Sequence, residues 1–340
     1  MARKIAVWLG KVIGAGVTAF ALLSLFCVWY YNPPVHRAAA NGATGYTRQA
    51  DAFWARATEG FARGQTDGNG YNNSYPVEDP GDIHILMMGS SQTEGLYVND
   101  DECASYLLNQ YFHEDGSGRY VYNIGMSAHE IFRNVSNLET ALSVYEPKEY
   151  VAIETGVLAY QPEEVWQALA HDMPELTVGT GYSLLDLLQQ NPYLKLVYQQ
   201  YSNYKNRENT DTGVGKGYDV FSEDTLWASR QMLEYIAGTA RAHHCEPILY
   251  YIPELQLDDN GALVFAATEG TREQYAALCR ELGILFVDMT DGIVELYEQE
   301  HILASGFANT QAGYGHLNRE GHRILADALY EAISEQEEQL

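Results

Sequence analysis

Two polar side chains with complementary chemistry lie far apart in this chain of 340 residues. Ser91 belongs to the segment 89–95, GSSQTEG, which directly follows an apolar run. A serine at a strand-to-helix turn can expose its hydroxyl group and direct its own N–H toward a carbonyl oxygen. His316 precedes the last helical pattern, and an imidazole takes and returns a proton near neutral pH. Each feature alone also fits an ordinary turn or a solvated histidine, so the prediction depends on their combination.

The elements that must position these residues alternate along the chain. Short apolar runs are typical of buried strands and occur at 83–89, 120–125, 150–155, 247–253 and 284–289. Helical patterns separate or follow them at 102–112, 128–145, 222–243, 271–282 and 319–335. This alternation predicts an α/β domain with about five parallel strands covered by helices on both faces. Ligand sites of such sheets lie at the carboxyl ends of the strands, where Ser91 and also Gly125 are found.

One stretch, residues 157–221, breaks the alternation and is interpreted as an insertion with two helices. It carries a tyrosine series, Tyr193, Tyr198, Tyr201 and Tyr204. Tyrosine rings at such spacing stack on sugar rings or bury one face of a helix. The i,i+3 spacing of Tyr198 and Tyr201 favours the buried helix face.

In combination, Ser91 after the first strand, Gly125 after the second and the run 316–322, HLNREGH, resemble the SGNH (GDSL-type) hydrolase family. The resemblance covers about residues 82–335, interrupted by the insertion. It implies a flavodoxin-like three-layer sandwich. It also implies that Ser91 is the nucleophile, that His316 is the base, and that the N–H groups of Ser91 and Gly125 form the oxyanion hole.

Three positions depart from the pattern of that family. Ser90 stands where an Asp is usual, and Leu158 stands where an oxyanion-binding Asn is usual. Gly313 occupies the place of the triad Asp, three residues before the His. In serine proteases the loss of the orienting acid costs about 10⁴ in turnover, and the loss of one oxyanion donor costs roughly 10²–10³. Other groups must therefore fill these roles if the site is catalytic.

Glu154, Thr155 and Asn309 are the candidates for the vacated roles. Glu154 ends a buried strand, where a carboxylate needs a partner, so it orients His316, binds the acceptor or serves as a structural anchor. Asn309 is more typical of a simple loop residue. Asp288 also ends a strand, but its position favours a structural cap of the next turn over the role of triad acid.

The N-terminal region predicts a membrane anchor. Residues 12–31 contain no charged side chain and end in Trp29, Tyr30 and Tyr31, as at a membrane interface. Positive charges precede this segment and acids follow it, which predicts a cytoplasmic stub and anchor over 1–31 and an extracytoplasmic remainder. The alternative is a signal peptide cleaved near residues 38–40, although the apolar segment is long for one.

Residues 32–80 are interpreted as a juxtamembrane arm or linker before the main domain at 81–336. The arm includes an amphipathic stretch over 48–63, in which Phe53, Trp54 and Phe61 are apolar anchors. A run rich in glycine, asparagine and tyrosine follows and favours turns. The sequence leaves open whether the arm lies along the membrane or packs on the domain.

Composition excludes several classes of protein. The chain has a formal charge of -26, which disfavours binding to nucleic acid because the phosphate backbone is repelled. Its four cysteines include no CxxC pair, so neither a disulfide scaffold nor a structural zinc site is expected. The proposed chemistry requires no metal ion and no nucleotide cofactor.

The resemblance extends to bacterial membrane-anchored SGNH proteins that act beside membrane-bound O-acyltransferases. It implies a serine esterase or O-acyltransferase that acts on acyl groups of a cell-wall or exported polysaccharide, with such an acyltransferase as its partner. Two alternatives remain. One is a scaffold or polysaccharide-binding protein that has kept the fold and lost the triad. The other is a flavodoxin-like cofactor protein, which the lack of a second phosphate-cradling loop disfavours.

Overall fold

A five-stranded parallel sheet lies at the centre of the computed structural model, which describes residues 2–39, 42–76, 82–174, 190–205, 219–310 and 312–338. Its strands are β5 (Ile85–Met88), β6 (Val121–Asn123), β7 (Tyr150–Thr155), β8 (Glu246–Tyr251) and β11 (Leu285–Asp288). They are hydrogen-bonded in the order β6-β5-β7-β8-β11, while β9 (Leu255–Leu257) and β10 (Leu263–Phe265) form a separate antiparallel pair. This is the 2-1-3-4-5 order of the flavodoxin-like fold, so the α/β prediction with five parallel strands is confirmed.

Helices cover both faces of this sheet. They are α2 (Ser91–Glu94), α3 (Ala104–Glu114), α4 (Ile131–Tyr145), α5 (Pro162–Leu169), α7 (Glu223–Ala242), α8 (Glu269–Glu281), α9 (Thr290–Glu300) and α10 (Arg319–Glu338). A further helix, α6 (Pro192–Lys205), packs along the N-terminal helix instead. Each of the five predicted helices is present, whereas α9 was not predicted. Alternate residues of a strand point to opposite faces, so Leu86 packs with α4 and α7 while Ile85 packs with α3 and α10.

The stretch expected to be an arm or linker is folded onto the domain. It forms two antiparallel hairpins, β1 (His36–Ala38) with β2 (Tyr46–Arg48), and β3 (Phe53–Arg56) with β4 (Ala62–Gln65). Trp54 and Ala62 are fully buried against Leu96 of the main domain. Burial of the Trp54 indole is what makes this region part of the domain and not a linker.

A buried ion pair fixes these hairpins beside the first loop of the sheet. The guanidinium of Arg48, at the end of β2, binds both carboxylate oxygens of Glu94, at 2.6 and 2.9 Å. Burial alone would raise the pKa of Glu94, but the charge and hydrogen bonds of Arg48 outweigh it and hold that pKa below its ordinary value. Since Glu94 is the last residue of α2, the N-terminal hairpins and α2 are held together.

The N-terminal helix α1 (Ala2–Tyr30) is long and apolar enough to cross a membrane, a length and composition that a signal sequence can also have. The chain continues from it directly into the folded hairpins, because the backbone of Asn32 exchanges two hydrogen bonds with Ala55 of β3. Tyr31 is buried at this junction. The residues 38–39 near the alternative cleavage position lie in or next to the β1–β2 ladder.

The predicted insertion is described in part, since residues 175–189 and 206–218 lie outside the described residues. Its described helices are α5 and α6. Tyr198 and Tyr201 of α6 are 66% and 63% exposed, so the prediction that they bury a helix face is wrong. The reason is that α6 packs along α1 and turns these rings away from the sheet.

Candidate active site

The structure brings Ser91 and His316 together at the carboxyl end of the sheet. Ser91 is the first residue of α2, directly after β5 and its loop, and Ser90 caps that helix. His316 lies in the loop before α10, and its Nε2 is 2.8 Å from the Ser91 Oγ. The hydroxyl group therefore donates to the imidazole, as a nucleophile does to its general base.

Glu59 completes the triad geometry, and sequence reasoning missed it. The Nδ1 of His316 lies 2.8 Å from Glu59 Oε2, and the backbone N–H of His316 donates to the same oxygen at 3.1 Å. This network assigns the ring proton to Nδ1 and leaves Nε2 free to accept the proton of Ser91. Burial acts to raise the pKa of Glu59, but the hydrogen bonds and charge of His316 outweigh it and lower that pKa, so the carboxylate is ionised.

The β3–β4 hairpin positions Glu59 at its tip. Gly60 follows with a φ of 66°, and a Cβ there would lie 2.4 Å from the ring of Phe307, so only glycine fits. Asn309 holds the tip from the opposite side: its Oδ1 accepts from the Gly60 N–H at 2.6 Å, and its Nδ2 donates to the Ala57 carbonyl at 3.2 Å. Asn309 thus supports the acid without contacting His316.

A stacked aromatic side chain orients the imidazole. The ring of Tyr97 lies 3.6 Å from that of His316, centroid to centroid, with 15° between their planes. The guanidinium of Arg56 covers the other face of Tyr97 at 4.2 Å and donates to its hydroxyl oxygen at 2.9 Å. Stacking fixes the plane of the imidazole, while Glu59 fixes its rotation within that plane.

Glu154 holds the nucleophile loop instead of the histidine. Its carboxyl group accepts from the N–H of Ser90 at 2.9 Å and from the N–H of Thr93 at 3.1 Å, and both of their hydroxyl groups also bind it. Burial raises the pKa of Glu154 more than these hydrogen bonds lower it. The hypothesis that Glu154 orients His316 is therefore wrong, and the structural-anchor interpretation agrees with these contacts.

Thr155 does not take part in the site. Its hydroxyl group is buried, where it donates to the carbonyl of Val157 and contacts the Tyr160 hydroxyl at 3.2 Å. The proposal that it fills a vacated catalytic role is wrong because those contacts point it into the core. Leu158, where the family pattern has an Asn, is likewise fully buried.

The oxyanion donors differ in availability. The N–H of Ser91 lies at the start of helix α2 and donates to no acceptor among the described residues. The N–H of Gly125 donates to Asn123 Oδ1 at 2.7 Å. Gly125 also packs closely, since a Cβ there would lie 2.7 Å from the Glu94 nitrogen. Gly125 as second oxyanion donor therefore stays a prediction that requires its N–H to leave Asn123.

Asp288 has the structural role expected for it. Its Oδ1 accepts from the N–H of Thr290, the first residue of α9, at 2.9 Å, and its Oδ2 pairs with Arg272 at 2.9 Å. Across the described ranges, no group of three or more His, Cys, Asp or Glu side chains is arranged to hold a metal ion.

A cavity of about 690 Å³ opens beside the Ser–His pair. Both residues line it together with apolar side chains, namely Ile131, Phe132, Val157, Ile252 and Leu255. Glu130, Glu154 and Glu254 are the acidic residues of its lining. The lining therefore combines apolar side chains with several polar and acidic ones next to the Ser91 hydroxyl group.

No family model matches this chain, and no curated protein matches it. Three solved structures are similar to it in part. TesA has 14% identity over 73% of this chain and 97% of its own, with a TM-score of 0.41. Esterase EstA from Pseudoalteromonas sp. has 12% identity over 74% and 97%, with a TM-score of 0.41. Acetyl xylan esterase AlAXEase has 11% identity over 74% and 100%, with a TM-score of 0.44.

One feature of the sequence is consistent with the position of Glu59. The strands β3 and β4 flank a short turn with Glu59 and Gly60 at its centre, a composition that permits a hairpin. Nothing in the local pattern pairs that turn with the loop of His316, because the contact spans 257 positions.

Proposed function

We propose that this protein is a serine esterase or O-acyltransferase with a Ser91–His316–Glu59 triad. The observation that carries the proposal is the unbroken series of hydrogen bonds from the Ser91 hydroxyl through the imidazole to the partly buried carboxylate of Glu59, with both heavy-atom distances at 2.8 Å. This arrangement is recognised by geometry and roles and not by the order of its residues in the chain.

The geometry supports acyl transfer in two steps. In the first, the Ser91 Oγ attacks the acyl carbonyl carbon while His316 Nε2 takes its proton, and Glu59 stabilises the resulting imidazolium. The oxyanion forms near the free N–H of Ser91, with the Gly125 N–H as the second donor once it is released from Asn123. His316 then returns the proton to the leaving alkoxide, and an acyl-enzyme remains on Ser91.

In the second step a water molecule or a sugar hydroxyl attacks the acyl-enzyme. His316 again takes the proton of the attacking group and returns it to Ser91. Water gives hydrolysis, and a sugar hydroxyl gives transfer of the acyl group to the sugar. The cavity beside Ser91 is large enough for an acyl group together with part of a sugar.

The substrate that we propose is an acylated cell-wall or exported polysaccharide. Helix α1 would anchor the protein with Arg3, Lys4 and Lys11 in the cytoplasm and the catalytic domain outside. Continuity between α1 and the β3 hairpin supports an uncleaved anchor, because the Asn32–Ala55 bridge joins them. A membrane-bound O-acyltransferase is the partner expected for a transferase of this kind.

A serine-directed probe tests the proposal. A fluorophosphonate should label the wild-type chain, and Ser91→Ala should abolish both the label and the turnover of a small acetyl ester, by as much as about 10⁶ in kcat. Ser90→Ala is the matched control and should keep the label. Equal labelling of wild type and Ser91→Ala would instead favour the scaffold alternative, which the occupied Gly125 N–H supports.

A further inference from the structure

Exposed aromatic and apolar side chains surround the C-terminal end of α1. Phe61 at the hairpin tip is 54% exposed, and Tyr198 and Tyr201 of α6 are exposed to a still greater extent. Trp29 of α1 and Val197 of α6 are exposed as well. Clusters of this kind on a folded domain mark a site of contact with another apolar body.

The position of α6 along α1 indicates which body this is. Tyr193 packs edge-to-face on Phe20 at 5.9 Å, and Asn191 exchanges hydrogen bonds with Ser24, the shorter at 3.0 Å. At a rise of 1.5 Å per residue, Ser24 lies about 9 Å and Phe20 about 15 Å before Tyr30. If α1 spans a bilayer, these contacts place the start of α6 inside the outer leaflet.

The polar groups of α6 point away from that depth. Lys195 extends its ammonium group to the carbonyl of Pro33, beyond the apolar helix, at 3.0 Å. Gln199 meets the hydroxyl group of Tyr31 at the junction with the folded hairpins. Both contacts lie at or beyond Tyr31, where the apolar segment ends, while Tyr198 and Tyr201 remain exposed, as is typical of a helix at a membrane interface.

The catalytic hairpin is fixed to the same boundary. Phe61 stacks on Tyr30 at 6.4 Å, and Phe53 contacts Trp29 at 5.1 Å. Phe61 lies two residues from Glu59, which corresponds to about 7 Å along an extended chain. The acid of the triad is therefore tied to the end of α1 by a short and aromatic-rich connection.

We infer that α6 and the tip of the β3–β4 hairpin are seated in the outer leaflet beside α1, so that the triad works at the membrane surface. The occupant of the exposed face is lipid, because the face is continuous with α1, whose own surface is almost entirely uncovered in the described structure. The strongly acidic chain makes charge attraction to anionic lipid unfavourable, so the contact depends on apolar and aromatic burial. The substrate class is then an acyl ester presented at the lipid–water boundary.

This inference rests on the anchor in the proposed function, so the experiment measures both separately. Spin labels are placed at Tyr198→Cys in α6, Val17→Cys in α1 and Glu114→Cys at the opposite end of the sheet. The four native cysteines are buried, so labelling is selective. The full-length protein is reconstituted in phosphatidylcholine vesicles, and accessibility to oxygen and to a water-soluble nickel chelate is measured at each label.

The expected result is that the labels at positions 198 and 17 are both several-fold less accessible to the nickel chelate than the label at 114, and readily accessible to oxygen. A label at 198 that behaves like the one at 114, while 17 remains in lipid, overturns the inference and leaves the anchor intact. Shielding of 198 from both reagents also overturns it, because a protein contact then covers α6. A label at 17 in water contradicts the anchor itself.

Discussion

Glu59 contacts His316 and Glu154 contacts the turn of Ser90 and Thr93, and their surroundings shift their carboxyl pKa values in opposite directions. Glu59 faces an imidazole, and its pKa is lowered. Glu154 faces backbone N–H and hydroxyl groups in the interior, and its pKa is raised by burial. The contacts of the two carboxyl groups differ in the same way: Glu59 binds the imidazole of His316, whereas Glu154 binds the turn that contains Ser90 and Thr93.

The two carboxyl groups also come from different parts of the fold. Glu154 belongs to the central strand β7, whose position is set by the core. Glu59 belongs to a peripheral two-stranded hairpin, which is held by Trp54, Asn309 and the end of α1. Ser91 thus lies at the end of a strand of the central sheet, while Glu59 is supplied by a smaller element that contacts the end of α1.

The largest effect is expected at Glu59. Glu59→Gln leaves the shape but removes the negative charge that fixes the tautomer of His316, so kcat for a small acetyl ester should fall by about 10⁴. Glu130→Gln is a matched control, because Glu130 lines the same cavity. It should change kcat by less than about threefold. If Glu59→Gln kept a tenth of the activity, another group would be orienting the imidazole.

The central sheet was predictable because its information is local. Strands buried on both faces are continuous apolar runs, so β5 to β8 and β11 could be placed within a few residues. Ser91 was predictable from its place after the first strand, whereas His316, which lies between two helices, was predictable only from the combination of Ser91, Gly125 and the run 316–322. Parallel sheets bring those loops to one edge, whatever the details of packing.

The contact of Glu59 with His316 was not predictable, because it depends on long-range packing and not on a local sequence pattern. The strands β3 and β4 have four residues each, and such short strands carry little periodicity. Glu154 could be expected to need a partner, since it ends a buried strand. Which partner it finds depends on tertiary packing, which turned Ser90 and Thr93 toward it and brought Glu59 to His316 instead.

The next effect in size concerns stability at Glu154. Glu154→Ala leaves the buried N–H groups of Ser90 and Thr93 without their acceptor, at a cost of about 1–3 kcal/mol each. The free energy of unfolding in detergent should fall by about 3 kcal/mol, measured by denaturant titration. Glu154→Gln keeps an acceptor oxygen, so its free energy of unfolding should fall by roughly half as much. An unchanged midpoint in Glu154→Ala would mean that water satisfies these groups.

The same pair of carboxyl groups predicts a pH dependence of two signs. Because the pKa of Glu154 is raised, the folded chain binds its proton more tightly than the unfolded chain does. The contribution of Glu154 to the stability is therefore complete below the pKa of the unfolded state and is lost as pH rises through the pKa of the folded state. Because the pKa of Glu59 is lowered, its contribution to the stability is complete above the pKa of the unfolded state and is lost as pH falls through the pKa of the folded state. Glu154→Gln should therefore flatten the decline of the melting temperature with rising pH, and Glu59→Gln should flatten the decline toward acid.

A smaller effect is expected at Asn309, which supports the hairpin tip. Asn309→Ala removes the acceptor of the Gly60 N–H and the donor to Ala57, which is worth about 1 kcal/mol, so kcat should fall by about five- to tenfold. Asn309→Asp retains the acceptor oxygen, so its kcat should fall by only about half that factor. In a Glu59→Gln background the Asn309→Ala substitution should have no further effect, because its role runs through Glu59. Additive losses would contradict that role.

The smallest effect separates stacking from hydrogen bonding at Tyr97. Tyr97→Leu removes the ring that lies on His316, and since an aromatic pair is worth about 0.5–1.5 kcal/mol, kcat should fall by about fivefold. Tyr97→Phe keeps the ring and loses only the hydroxyl that accepts from Arg56, so its kcat should fall by less than about twofold. Equal losses in both variants would show that the Arg56 contact, and not the stack, holds the imidazole. That outcome would move part of the orientation of His316 from the loop of Tyr97 to strand β3, and would make the hairpin the source of two positioning groups instead of one.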